Sequence, residues 1–216
     1  MVKDKKNVDK EYSAKDIQVL EGLEPVRKRP GMYIGNTSKE GLHHLIWEIV
    51  DNSIDEAIAG YCDRIEITLY KDGFVSVEDN GRGIPVEKHE KTGKSALETV
   101  LTILHAGGKF ERNKGYKVAG GLHGVGASVV NALSSDFVAQ VYRDGNIYEQ
   151  RYKIGIPQGE VKVVGKTNKI GTKISFKADN TIFTTTEYSL RRILSHLRQQ
   201  AYLTKQVRII INDFRN

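Results

Sequence analysis

Apolar and polar residues follow two different rhythms along this chain, and the two rhythms divide it into helices and strands. The longest helical pattern runs from Leu42 to Gly60, where apolar residues recur every three or four positions and acidic and amide residues occupy the opposite face. Shorter helical patterns cover 95–105, 125–133 and 186–202. Each pattern predicts a helix that packs one face against a core.

Alternation of apolar and polar residues, which is typical of strands, first appears in Arg64 to Tyr70 and in Phe74 to Asp79. Asp72-Gly73 lies between them and predicts a β-hairpin with a primed turn, and Asp144-Gly145 predicts a second hairpin. The other predicted strands cover 137–143, 147–154, 161–166, 173–176 and 207–211. Helices separated by groups of strands predict an α+β fold, a two-layer α/β sandwich with a mixed β-sheet.

Two parts of the chain lack a long regular pattern. Residues 1–16 contain few apolar side chains and predict an extended arm, followed by one domain over 17–216. Asp16 to Leu20 predicts a short helical stretch that ends at Gly22 and Pro25. Seven of the twenty residues from Gly107 to Gly126 are glycine, which predicts a long loop of the kind that often serves as a lid.

Composition narrows the class of protein. The 216 residues, with 39% hydrophobic and 28% charged side chains, are enough for one domain with its own core. Cys62 is the sole cysteine, which excludes an internal disulfide and a cysteine metal cluster. No apolar run approaches the roughly 18 residues of a membrane span, and the charged start lacks the apolar segment of a secretory signal, so we expect a cytoplasmic protein without membrane contact.

The net charge of +6 permits contact with nucleic acid without requiring it. Arg27-Lys28-Arg29 is the densest basic cluster, and we interpret it as a solvated or ion-paired surface.

The helix predicted over 42–60 carries the first candidate chemistry. Glu48 and Asn52 are one helical turn apart and therefore leave the same face. An amide oxygen suits Mg²⁺ that already has phosphate and water ligands, and a carboxylate can deprotonate an attacking water. His44, one turn earlier, is placed to orient Glu48 by a hydrogen bond. By themselves these residues also fit the solvated face of an amphipathic helix.

Two glycine-containing segments complete a candidate nucleotide pocket. In Asp79-Asn-Gly-Arg-Gly83 an acidic group follows a strand, where it can accept a hydrogen bond from a base amino group, although the same residues also favour a simple turn. Gly120 to Gly126 runs into a predicted helix and offers free N–H groups to phosphate oxygens. This loop lacks the Gly-Lys-Ser/Thr of a P-loop and the third glycine of a dinucleotide fingerprint. His123 has no ligand partner at a suitable spacing, which argues against a metal site there.

Taken together, these motifs resemble the ATPase family shared by the B subunits of gyrase and topoisomerase IV, mismatch-repair ATPases, sensor histidine kinases and a heat-shock chaperone. The resemblance to the amino-terminal domain of the bacterial gyrase B family extends from about Tyr12 to the last residue. It is carried by Arg27–Gly35, Glu48–Glu56, His105–Phe110 and Tyr116–Gly126. It implies the Bergerat-type ATP-binding fold of that family.

The resemblance also implies roles for individual residues. Glu48 would be the general base beside His44, Asn52 the Mg²⁺ ligand, and Asp79, assisted by Thr172, the partner of the adenine amino group. The remaining ATP-binding residues would be Gly83, Ile84, Lys109, Tyr116, Leu122, His123, Gly124, Val125, Gly126 and, reaching into the pocket of a second copy, Tyr12. The rim that binds aminocoumarin-type inhibitors in relatives would comprise Glu56, Arg82, Pro85 and Arg143.

The implied activity is that of a type II DNA topoisomerase that uses ATP and Mg²⁺ for negative supercoiling. The implied partners are the gyrase A protein in a heterotetramer, DNA bound by the holoenzyme, and a second copy of the gyrase B protein that joins on ATP binding. The chain ends soon after a strand, which indicates a fragment of something longer. Two alternatives remain: the corresponding protein of topoisomerase IV, and a nucleotide-dependent interaction module without turnover. A histidine kinase would need an upstream phosphoacceptor helix, which the short amino-terminal arm does not offer.

Overall fold

A computed structural model of the protein describes residues 20–106 and 124–215, which form six helices and eight strands. The helices are α1 (Glu24–Lys28), α2 (Gly31–Ile34), α3 (Lys39–Ile58), α4 (Ala96–Thr102), α5 (Gly126–Ala132) and α6 (Leu190–Leu203). The strands are β1 (Arg64–Tyr70), β2 (Phe74–Asp79), β3 (Ser134–Arg143), β4 (Asn146–Lys153), β5 (Ile156–Pro157), β6 (Lys162–Lys166), β7 (Gly171–Ala178) and β8 (Arg208–Phe214).

The eight strands form one mixed sheet with the order β5-β4-β3-β7-β2-β1-β8, and β6 also pairs with β4. β1 and β8 run parallel, whereas the other pairs are antiparallel. The predicted α+β sandwich with a mixed sheet is therefore confirmed. Among the described residues, no helix is long and apolar enough to cross a membrane.

The core lies between the helices and one face of the sheet. Ile65, Ile67 and Leu69 of β1 are buried on this face, and burial of each such side chain stabilises the fold by about 1.5–3 kcal/mol. The other face is polar: Lys169 and Lys173 both lie near Glu78, with Nζ–O distances of 2.8 and 3.8 Å. This one-sided burial produces the alternating pattern of the sequence.

α3 crosses the core and carries four of the candidate residues, His44, Glu48, Asn52 and Glu56. Ser38 caps its N-terminus by accepting a hydrogen bond from the backbone N–H of Glu40, so the helix begins three residues before the predicted Leu42. Asp55, expected on the polar face, is instead fully buried. Periodicity places residues on a helix, but only the packing of neighbouring elements decides how far burial extends around it.

The two hairpin turns differ from each other. Asp144 and Gly145 both have positive φ, at 51° and 74°, as the primed turn requires. The expectation of a primed turn at Asp72-Gly73 is wrong, because only Gly73 has a positive φ (85°) and three residues separate the strands. Gly73 N–H donates to Tyr70 O at 3.1 Å, which matches a type I turn followed by a left-handed glycine.

The segment before α3 also departs from prediction. Pro25 lies in the first turn of α1, where its missing N–H costs nothing, instead of ending an earlier helix. Leu20 is not helical, and the rest of the predicted helix from Asp16 lies outside the described residues. In the basic cluster, Lys28 pairs with Glu24. Arg27 pairs with the buried carboxylate of Asp179. The ion-paired interpretation therefore applies to Arg27 and Lys28.

Candidate functional site

α3 presents Glu48 and Asn52 on one face, one turn apart, as the sequence predicted. Both side chains are half-buried, and His44 lies at the surface one turn before them. Partial burial lowers the pKa of His44, which favours the neutral imidazole near neutral pH.

α6 also packs on α3, through aromatic rings. Trp47 stacks on His196, with ring centroids 3.9 Å apart and planes 20° apart. His43 Nε2 accepts a hydrogen bond from the backbone N–H of Ser189 at 2.8 Å, so Nδ1 carries the proton and donates to Lys39 O at 2.6 Å. Burial lowers the pKa of His43, as expected for a ring held in one neutral tautomer. These contacts hold α3 against α6.

Asp79 lies at the end of β2, where three hydrogen-bond donors fix its carboxylate. Its Oδ2 accepts a hydrogen bond from Ser53 Oγ at 2.8 Å, and its Oδ1 accepts from the backbone N–H of Gly81 at 2.9 Å and of Thr172 at 3.4 Å. Burial raises the pKa of Asp79, while these hydrogen bonds act in the opposite direction. Since a carboxylate has about four acceptor positions, three donors leave room for one further N–H.

The register of the sheet brings Thr172 beside Asp79. The two residues are paired across β2 and β7, and Gly171 precedes Thr172 with a φ of 135°. A Cβ on Gly171 would stand only 1.9 Å from the backbone oxygen of Asp79, so only glycine allows the strands to approach this closely. Thr172 Oγ1 accepts a hydrogen bond from the N–H of Ile84 at 3.3 Å, which leaves its own hydroxyl hydrogen available to another acceptor.

The turn after Asp79 connects the acid to the predicted rim. Arg82 donates to Glu56 through Nε at 3.0 Å and Nη2 at 2.8 Å, a bidentate pair. Tyr61 stacks on the guanidinium, whose carbon lies 4.0 Å from the ring centroid. A Cβ on Gly81 would approach Glu56 Cγ to 2.9 Å and Asp79 Oδ1 to 3.0 Å, so Asp79 and the predicted rim are closely packed.

The other predicted rim and pocket residues continue from this turn. Gly83 has a positive φ of 75°, Ile84 packs against the core, and Pro85 is exposed. Arg143, at the end of β3, lies 3.5 Å from both Glu87 and Asp144.

α5 brings the end of the glycine loop to α3. Gly124 and Val125 precede the helix, and Gly126 is its first residue. The backbone of Gly126 lies directly against the side chain of Glu48. Two segments more than 70 residues apart in sequence, 48–52 and 124–126, therefore meet at one place.

Five predicted site residues lie outside the described residues: Tyr12, Lys109, Tyr116, Leu122 and His123. The predicted lid and the amino-terminal arm lie there as well.

Ser53, which was not among the predicted site residues, is buried and donates a hydrogen bond to Asp79. The available signal was a polar residue at a core-facing position of α3, three residues after Val50 and one before Ile54.

The described residues contain no group of three or more histidine, cysteine, aspartate or glutamate side chains able to hold a metal ion by themselves. Mg²⁺ does not require such a group, since it is usually held by one or two protein ligands together with phosphate oxygens and water. The amide oxygen of Asn52, on the same face as Glu48, fits that limited role.

Comparison with known proteins agrees with this geometry. The model of the family described as histidine kinase-, DNA gyrase B- and HSP90-like ATPase matches residues 37–182, which include α3, the Asp79 turn and β7. The chain belongs to this ATPase family.

Members of this gyrase B-like ATPase family include close relatives of the chain. The DNA gyrase B protein of Staphylococcus epidermidis is 60% identical over 205 residues, which cover 94% of this chain and 32% of that protein. The DNA gyrase B protein of Staphylococcus aureus is 59% identical over 206 residues, covering 95% and 32%. The chain therefore spans about a third of the length of these curated relatives.

Proposed function

We propose that this chain is the ATP-binding and ATP-hydrolysing part of a bacterial type II DNA topoisomerase, the B protein of DNA gyrase. The observation that carries the proposal is the half-buried carboxylate of Asp79, which is held by three donors and keeps capacity for one more N–H. The exocyclic amino group of adenine is a donor of this kind. The similarity to gyrase B proteins supports the same assignment.

Asp79 and Thr172 form the adenine subsite in this proposal. The carboxylate accepts from the adenine amino group, and the Thr172 hydroxyl donates to a ring nitrogen. Gly83 and Ile84 line this subsite beside the turn. Glu56, Arg82, Pro85 and Arg143 form its outer rim, where inhibitors of the aminocoumarin type would bind.

Glu48 acts as the general base. Its carboxylate accepts a proton from the attacking water while the water oxygen bonds to the γ-phosphorus. The bond from phosphorus to the β,γ-bridging oxygen breaks, which yields ADP and inorganic phosphate. A positioned base contributes about 10²–10⁴-fold to such a rate. His44 orients this carboxylate.

Asn52 would hold Mg²⁺ through its amide oxygen, and the bound ion would neutralise charge on the phosphates. The phosphates themselves lie along the glycine loop, whose proposed contacts include Gly124, Val125 and Gly126. The proposed ribose and phosphate contacts also include Lys109, Tyr116, Leu122 and His123, and Tyr12 contributes from the second copy.

In the whole protein we propose that residues 1–16 act as a dimerisation arm and 17–216 as the ATPase domain. Two gyrase B proteins close on ATP binding, and two gyrase A proteins complete a heterotetramer that passes one DNA segment through another and introduces negative supercoils. Supercoiling, as opposed to decatenation alone, by the reconstituted holoenzyme separates this proposal from topoisomerase IV.

Glu48→Gln in the full-length protein tests the chemistry. The affinity for a non-hydrolysable ATP analogue should change by less than about threefold, whereas ATP turnover should fall by about 10²-fold or more, because only the attacking water loses its base. Glu187→Gln, which makes the same change at an exposed carboxylate outside the site, is the matched control. Turnover by Glu48→Gln equal to that of the control would exclude Glu48 as the base. If the parent and both variants bind the analogue but none hydrolyses ATP, the protein is an interaction module.

A further inference from the structure

Gly126 and Glu48 are packed so closely that a side chain at position 126 and the present Glu48 carboxylate exclude each other. A Cβ placed on Gly126 would lie 2.2 Å from Oε2 of Glu48, 3.1 Å from its Cβ and 3.2 Å from its Cδ. Nonbonded carbon and oxygen atoms require more than about 3 Å. All three nearest atoms belong to Glu48, so no other residue competes as strongly for this space.

The backbone at Gly126 gives no independent reason for glycine. Gly126 is the first residue of α5 and does not have a positive φ. In a helix, glycine is less favourable than alanine by about 1 kcal/mol. Local structure would therefore favour a side chain here, and the room taken by Glu48 is what opposes it.

We propose that Gly126 is a positioning residue for Glu48. Because Gly126 has no side chain, the Glu48 carboxylate can lie against its Cα, and this contact determines the position of the carboxylate in the pocket. This inference rests on the proposed role of Glu48 as general base. α5 therefore determines the position of the Glu48 carboxylate, in addition to any contact of the α5 backbone with phosphate.

Gly126→Ala isolates this steric role. The substitution keeps the backbone N–H of residue 126, so a hydrogen bond from this amide to phosphate can remain. The closest atom, Oε2, is at the end of a flexible side chain and can move without unfolding the protein. A displacement of about 1 Å at a reacting group can nevertheless cost about 10²-fold in rate.

The experiment compares ATP turnover, affinity for a non-hydrolysable ATP analogue and melting temperature in the full-length protein. For Gly126→Ala we expect kcat to fall about 10- to 100-fold, with affinity for the analogue within about threefold of the parent and an unchanged melting temperature. Gly31→Ala is the matched control, because Gly31 is likewise the first residue of a helix and a Cβ there has no neighbour within 4 Å.

A double-mutant cycle connects the effect to Glu48. Glu48→Asp shortens the side chain by one methylene and relieves the overlap with an alanine at position 126. The double variant Gly126→Ala/Glu48→Asp should therefore have a kcat at least as high as Glu48→Asp alone, instead of the product of the two single losses.

Multiplicative losses in the double variant, or parent-like turnover by Gly126→Ala, would overturn the inference. Loss of analogue binding by Gly126→Ala would also overturn it, because the substitution would then act through nucleotide binding and not through the position of Glu48. These outcomes differ from failure of the proposed function, because that failure shows as full turnover by Glu48→Gln, which contains the native Gly126.

Discussion

Replacement of Arg27 by methionine should destabilise the protein far more than replacement of its neighbour Arg29. Arg27 joins three elements: it lies within α1, its Nη1 donates to Ala132 O at the end of α5, and its Nη2 donates to Asp179 Oδ2 after β7, both at 2.7 Å. Methionine keeps the apolar stem and removes both donors. Arg29 is exposed and serves as the control.

The magnitude follows from burial. The side chain of Asp179 is 5% exposed and that of Arg27 is 24% exposed. Loss of one partner from a fully buried pair costs about 3–5 kcal/mol, and the partial exposure of Arg27 reduces this. The N–H and hydroxyl of Thr181 continue to donate to Asp179. We therefore expect a loss of about 2–3 kcal/mol in unfolding free energy, which corresponds to about 4–12 °C in melting temperature.

Urea denaturation and calorimetry of the parent, Arg27→Met, Arg29→Met, Asp179→Asn and the double variant Arg27→Met/Asp179→Asn measure this. Arg29→Met should remain within about 0.5 kcal/mol of the parent. The double variant should lose less than the sum of its two single losses, because each single change already breaks the pair. Equal stability of Arg27→Met and Arg29→Met, or strict additivity in the cycle, would refute the reasoning.

Two further predictions concern the pocket and its support. Ser53→Ala removes one of three hydrogen bonds to Asp79, so the affinity for ADP in titration calorimetry should fall about 3- to 10-fold and the pKa of the carboxyl should rise; unchanged affinity would contradict the packing. Burial lowers the pKa of His43, His44 and His196 in the folded state, so the unfolded chain binds protons first as pH falls. The free energy of unfolding should therefore decrease below about pH 6.5. In urea titrations between about pH 7 and pH 5, His43→Gln should show a shallower decrease than the parent. An identical slope for the two proteins would argue against a contribution from His43.

Local patterns were sufficient to identify most of the elements. The bounds of β1 and β2 match their predictions residue for residue, because apolar and polar residues alternate from Arg64 to Leu69 and from Val75 to Glu78 on either side of a short turn. α3 was recognisable from its apolar spacing, and Glu48 and Asn52 follow from it since helical geometry alone puts residues four apart on one face. Short elements were missed: α1 and α2, with five and four residues, are too brief for periodicity to appear.

Tertiary structure decided which of those elements and side chains contact each other. The parallel pairing of β1 with β8 joins segments about 140 residues apart, and no local pattern encodes such a pairing. The same holds for the burial of Asp55 and for the hydrogen bond from Ser53 to Asp79. It holds above all for the contact between Gly126 and Glu48. The lack of a side chain at Gly126 matters only because the Glu48 side chain occupies the adjacent space. Sequence periodicity shows which face of an element is apolar. Which atoms this face contacts depends on how the whole chain packs.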